Sequence, residues 1–136
     1  MVVLCYNLFM CNQINRWTTA TKSKGKDGIY YDSKFEAGYG EELRLRKMAK
    51  DIKDYEAHVP FHLDVNGYRL GTYTADFVIT HNDDSQEVVE TKGRVMGDFA
   101  LRWKLFEALY SDQYKITLIM QGKRGRPRTP KRIIEF

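Results

Sequence analysis

The chain has 136 residues, 43% of them hydrophobic and 29% charged, and a net charge of +4. That size and balance describe one globular domain with room for one core, and exclude a disordered chain. The positive balance suits a polyanionic partner, and two cysteines, Cys5 and Cys11, are too few for a disulfide framework, so a reducing cytoplasmic setting is expected.

The start, MVVLCYNLFM, is apolar but about half the length of a membrane span. It lacks the positive start and small-residue cleavage site of a secretion signal. It fits a strand, an interface segment, or sequence upstream of a second start at Met10, and no membrane association is expected. Residues 12–31 are polar, with Lys22, Lys24 and Lys26 separated by Ser23 and Gly25. They read as a loop or arm, solvated or touching phosphate. Residues 1–30 are therefore expected to be an N-terminal arm.

DSKFEAGYGEELRLRKMAKDI predicts a helix. Asp32 or Ser33 can cap it, and Glu36, three residues after Ser33, makes a capping box. Phe35, Tyr39, Leu43 and Met48, with Leu45 and Ile52, form its apolar stripe. Gly38 and Gly40 are poor helix formers, which suggests that the helix passes close to another backbone. Glu36 has two readings: the cap's partner, or a carboxylate aimed at the acidic patch described next.

DYEAHVPFHL alternates as a strand does, and Pro60 marks an edge or an irregularity. His58 and His62 read as ordinary strand histidines, since a zinc site needs more ligands than the chain offers. Asn66-Gly67 is a tight-turn signal. It leads into GTYTADFVITHNDDSQEVVETKG, residues 71–93, where two β-prone runs flank the polar turn His81 to Ser85 and predict a hairpin. Glu90 and Lys92, two apart, share a face, and pairing can bring Asp76 beside them. Two carboxylates and an ammonium then meet in a patch otherwise lined by Val78 and Val88. Buried carboxylates need neutralising, and Mg²⁺ favours such hard oxygen ligands. The plainer alternative is a surface hairpin carrying one Glu–Lys pair.

DFALRWKLFEALYSD has helical spacing, with Phe99, Trp103, Phe106 and Tyr110 inward, Leu105 and Leu109 beside them, and Arg102 and Lys104 nearer the open face. YKITLIM, residues 114–120, is a buried strand. The tail is basic: Lys123, Arg124, Arg126, Arg128, Lys131 and Arg132 fall within ten residues. Arg124-Gly125-Arg126-Pro127 resembles the core of an AT-hook, whose arginines enter a narrow minor groove. The plainer reading is phosphate binding without sequence recognition.

Helix–β–β–β–helix–β, with Glu36 on the first helix, Asp76 in the second strand and Glu90-Thr91-Lys92 in the third, resembles the PD-(D/E)xK nuclease superfamily. The resemblance runs from about Tyr31 to Met120. YDSKFEAGYGEEL, YTADF and VVETKG look closest to small phage and prophage endonucleases related to Holliday-junction resolvases. Ala75 stands where the motif's name has Pro. The resemblance implies an α/β, restriction-endonuclease-like core over residues 31–120, a central mixed sheet flanked by helices, followed by a basic tail over 121–136. It implies a metal-dependent DNA endonuclease of a phage-infected or prophage-bearing bacterial cell. Asp76, Glu90, the Thr91 carbonyl and Glu36 would hold Mg²⁺ or Mn²⁺, and Lys92 would orient the attacking water. Lys34, Arg94, Arg102, Lys104 and the tail residues Lys123, Arg124, Arg126 and Arg128 would hold DNA. With no room for a sequence-reading domain, the expected substrate is branched DNA, cut by a homodimer. The alternatives are a duplex-nicking or restriction-type nuclease of low specificity, or a non-catalytic DNA-binding accessory protein.

Overall fold

The computed structural model describes residues 2–6, 22–94 and 97–121. The elements, in chain order, are β1 (Val2–Tyr6), β2 (Ser23–Lys24), β3 (Tyr30–Tyr31), α1 (Lys34–Met48), β4 (Asp54–Val65), β5 (Tyr68–Thr80), β6 (Gln86–Lys92), α2 (Gly97–Tyr110) and β7 (Lys115–Gln121). The predicted order of helix, three strands, helix and strand is present from α1 onward. The architecture is α/β. One mixed sheet runs β1-β7-β6-β5-β4, and β2 and β3 make a separate ribbon. β4, β5 and β6 are antiparallel neighbours, whereas β6–β7 and β7–β1 are parallel. A parallel neighbour needs a crossover, and α2 supplies it between β6 and β7.

Hairpin chemistry sets the antiparallel half. Asn66 and Gly67 both have positive φ, 50° and 82°, as a two-residue turn of the favoured hand requires. Pro60 sits in β4, the edge strand, where its missing N–H leaves no internal ladder position empty.

The apolar side chains divide between the two sheet faces. Tyr39 and Leu43 of α1 pack with Tyr31, Ile52, Phe77, Ile79, Val89 and Ile119. Trp103 and Phe106 of α2 pack with Phe61, Leu63, Tyr73, Ala75, Val78, Val88 and Ile116. Adjacent residues such as Val88 and Val89 enter opposite clusters, so the helices cover opposite faces. Among the described residues no helix is long and apolar enough to cross a membrane.

Several expectations change. Residues 22–31 are not a loose arm: they form the β2–β3 ribbon, anchored by Tyr31, which has no exposed surface. The α1 stripe is shorter than predicted, because Leu45 and Met48 are exposed. Gly40 does mark a close approach, but to a side chain: a Cβ there would lie 2.7 Å from the Tyr31 hydroxyl. Gly38 has nothing within 4 Å of such an atom. Val78 and Val88 face each other across β5 and β6 inside the α2-side core rather than lining the acidic patch. The basic tail, with Lys123, Arg124, Arg126 and Arg128, lies outside the described residues.

Candidate active site

The site forms where β5 leaves β6. Their pairing runs from Thr80–Gln86 to Phe77–Val89 and stops there. One more step of that register would set Asp76 opposite Glu90. The strands part instead, and the Asp76 side chain fills the break. Its Oδ2 accepts from the Thr91 backbone N–H at 2.8 Å and from the Thr91 hydroxyl at 2.7 Å. The carboxylate thus supplies the acceptor that the interrupted ladder denies to Thr91.

Two residues of one face of β6 complete this side. Glu90 is 2% exposed, and its two oxygens are held by the Lys92 ammonium and the Tyr73 hydroxyl. Lys92 also lies over the Phe99 ring, its Nζ 4.7 Å from the centroid, which brings the first turn of α2 to the site.

Glu36 enters from the first turn of α1. Ser33 caps the helix, accepting from the Glu36 N–H at 3.1 Å. The Glu36 carboxylate takes the Asp32 N–H on Oε2 at 3.2 Å and meets His58 Nε2 through Oε1 at 2.8 Å. Both readings of Glu36 therefore hold in part: it serves the helix start, and it is 4% exposed beside the strand acids.

Electrostatics tie the group together. Burial, then the Asp76 charge, raise Glu36 above the ordinary carboxylate range, while His58 partly offsets this. Burial also raises Asp76, against the Thr91 hydrogen bonds and the Lys92 charge. Burial and Asp76 push Glu90 up to about 7, although Lys92 and Tyr73 pull it down. Burial works to lower Lys92, but Glu90, Asp76 and Glu36 outweigh it and hold the ammonium above its usual value. Three acids thus share one lysine and repel one another, an arrangement that a divalent cation would relieve. The donors are hard oxygens, which suits Mg²⁺ or Mn²⁺ rather than a thiolate-preferring metal. Among the described residues no three acid, imidazole or thiol groups form a ready-made metal cage.

His58 overturns the expectation of an ordinary strand histidine, because it touches Glu36 and its backbone is left-handed, φ 56°. Tyr73, the phenol on Glu90, had no signal in the sequence beyond a strand aromatic. Of the basic residues predicted to hold DNA, Lys34, Arg94, Arg102 and Lys104 are exposed. Arg102, one turn beyond Phe99, is paired with Asp98 at 3.1 Å.

A family model described as "Protein of unknown function (DUF1064)" matches residues 19–124. No curated protein and no solved structure matches the chain.

Proposed function

The chain belongs to the DUF1064 family, and from the site inside the matched span we propose that it is a metal-dependent endodeoxyribonuclease, hydrolysing phosphodiester bonds. The observation that carries this reading is the break between β5 and β6, where Asp76, Glu90 and Lys92 meet Glu36 of α1. Acids around a lysine beside a strand end are of little use to the fold, since charge repulsion and burial both work against stability. They are useful to a reaction that needs a cation and a phosphate in the same place. The helix–three-strand–helix–strand order supports the further reading of a restriction-endonuclease-like core of the PD-(D/E)xK superfamily, akin to small phage and prophage enzymes.

In this mechanism Asp76, Glu90 and the Thr91 carbonyl would hold Mg²⁺ or Mn²⁺, with Glu36 as the further acid. Such a cation supplies Lewis-acid activation of water and phosphate. Thr91 fixes the orientation of Asp76 through two donors, and Tyr73 does the same for Glu90. Lys92 is the one cation of the cluster, half-buried against Phe99, and its ammonium orients the attacking water and offsets charge on the pentavalent phosphorus. Lys34, Arg94, Arg102, Lys104 and the tail hold the DNA backbone. The resemblance to small junction-resolving enzymes favours recognition of shape, a four-way junction or other branch. Paired incisions on such a substrate follow from a homodimer with two sites.

The test uses labelled four-way junction, linear duplex and single strand, with Mg²⁺ or EDTA. The expected result is Mg²⁺-dependent cutting, strongest on the junction, with Asp76→Ala and Lys92→Ala each slowing it on the order of 100-fold or more. Equal cutting of linear duplex points to a low-specificity nickase. Binding without metal-dependent cutting points to an accessory protein, and cutting that survives both substitutions removes the site assignment.

A further inference from the structure

We propose that His58 is a positioning residue, which holds the Glu36 carboxylate toward Asp76 from a strand bent locally out of shape to do so. The inference deepens the nuclease reading and, for its catalytic consequence, rests on it.

Among the described residues, four that are not glycine have positive φ: Lys50, His58, Asn66 and Asp84. Lys50, Asn66 and Asp84 lie in turns or bends between elements, but His58 lies within β4. No change of chain direction calls for a left-handed residue there, and a side chain makes that conformation unfavourable. Pairing is regular on both sides, Ala57 with Phe77 and Val59 with Ala75. His58 therefore falls opposite Asp76, which itself falls opposite Glu90 in the continued β5–β6 register.

The distortion coincides with a change of face. Before it, Tyr55 and Ala57 pack toward α1; after it, Val59, Phe61 and Leu63 pack toward α2. At the switch the imidazole reaches the first turn of α1. Nε2 lies 2.8 Å from Glu36 Oε1, and the ring stands edge-on to Tyr31, centroids 5.6 Å apart. The Asp32 N–H occupies the other oxygen. With both oxygens engaged, the carboxylate cannot rotate away from Asp76. Loss of the imidazole frees one oxygen of a buried acid, which then turns to find another partner.

The test compares His58→Gly, His58→Ala and His58→Gln in the full chain. His58→Gly removes both the imidazole and the backbone conflict; His58→Ala removes only the imidazole. Thermal unfolding without metal should therefore rank Gly above Ala, the reverse of their usual order inside a strand. Both variants should bind Mn²⁺, followed by electron paramagnetic resonance of the free ion, roughly 10- to 100-fold more weakly. Turnover should fall with little change in KM for DNA, and His58→Gln, able to hydrogen-bond Glu36, should recover part of it. In the metal-free protein the His58 Nε2 resonance should move on Glu36→Gln. Wild-type Mn²⁺ affinity and turnover in His58→Gly would overturn the proposal. Should the wild-type protein neither bind Mn²⁺ nor cut DNA, the nuclease reading fails. The Nε2 resonance then decides the positioning role alone, and its indifference to Glu36→Gln overturns it.

Discussion

Glu90 shows what the site costs the fold. Its carboxyl is pushed up to about 7 from an ordinary 4.5, so ionisation at neutral pH opposes folding. The stability tied to the protonated form is complete below about pH 4.5 and is lost as pH rises through about 7. Glu90→Gln mimics the neutral acid and still offers Tyr73 an acceptor. Its advantage over the wild-type protein should be near zero at pH 4 and on the order of 2 kcal/mol at pH 8, read from urea midpoints in EDTA. The same substitution should abolish cutting and remove any stabilisation by Mg²⁺. A Glu90→Gln protein less stable than wild type at pH 8 would mean that the Lys92 ion pair outweighs the repulsion among the acids.

At the scale of elements, α1 and the β2–β3 ribbon fit through one contact. The Tyr31 ring lies against Gly40, and its hydroxyl donates to Asp27 at 2.5 Å. Burial, then Asp27, raise that phenol far above its ordinary range, so it stays a donor. Gly40→Ala would put a methyl group 2.7 Å from the hydroxyl and 2.8 Å from the ring carbon that bears it. Tyr31 is fully buried and cannot retreat. The expected loss is about 2 kcal/mol by chemical denaturation. Gly38→Ala, two residues away on the same helix, meets nothing within 4 Å and should stabilise by about 0.5–1 kcal/mol. If both substitutions behave alike, the helix–ribbon contact is not what holds α1. The element matters to function because Ser33 and Glu36 follow the ribbon directly, so displacing α1 also displaces the acid.

For the whole molecule, the proposed function makes the distribution of charge the feature that governs binding to DNA. Glu36, Asp76 and Glu90 gather in the break of the sheet, whereas Lys34, Arg94, Arg102 and Lys104 are exposed, and the net charge is +4. Binding to DNA should weaken steeply with salt, by about 0.9 in the log–log slope for each phosphate neutralised. Replacing Lys123, Arg124, Arg126 and Arg128 together by Ser should flatten the slope by roughly 2–4, measured by fluorescence anisotropy across a NaCl series. Cutting at saturating DNA should persist, since none of the four belongs to the acid cluster. An unchanged slope would show that the tail does not touch the backbone.

Local chemistry was enough to find much of this protein. Alternation, helical spacing, the Ser33 cap and the Asn66-Gly67 turn depend on near neighbours, and they identified α1, β4 to β6, α2 and β7. The spacing of Glu90 and Lys92 put both on one face, and a hairpin then implied Asp76. His58 could not be found this way. Counting back from the Val65–Tyr68 pair beside the turn sets Ala57, not His58, opposite Asp76. The register shift between Leu63 and Asp64 moves the pairing by one residue and brings the imidazole into line. Gly40 signalled a close approach, but nothing in the chain identified Tyr31, nine residues earlier, as the group that makes it. Register over a long hairpin, the parting of β5 from β6, and the seating of a helix on a sheet arise from packing among distant residues. Only the tertiary structure could decide them.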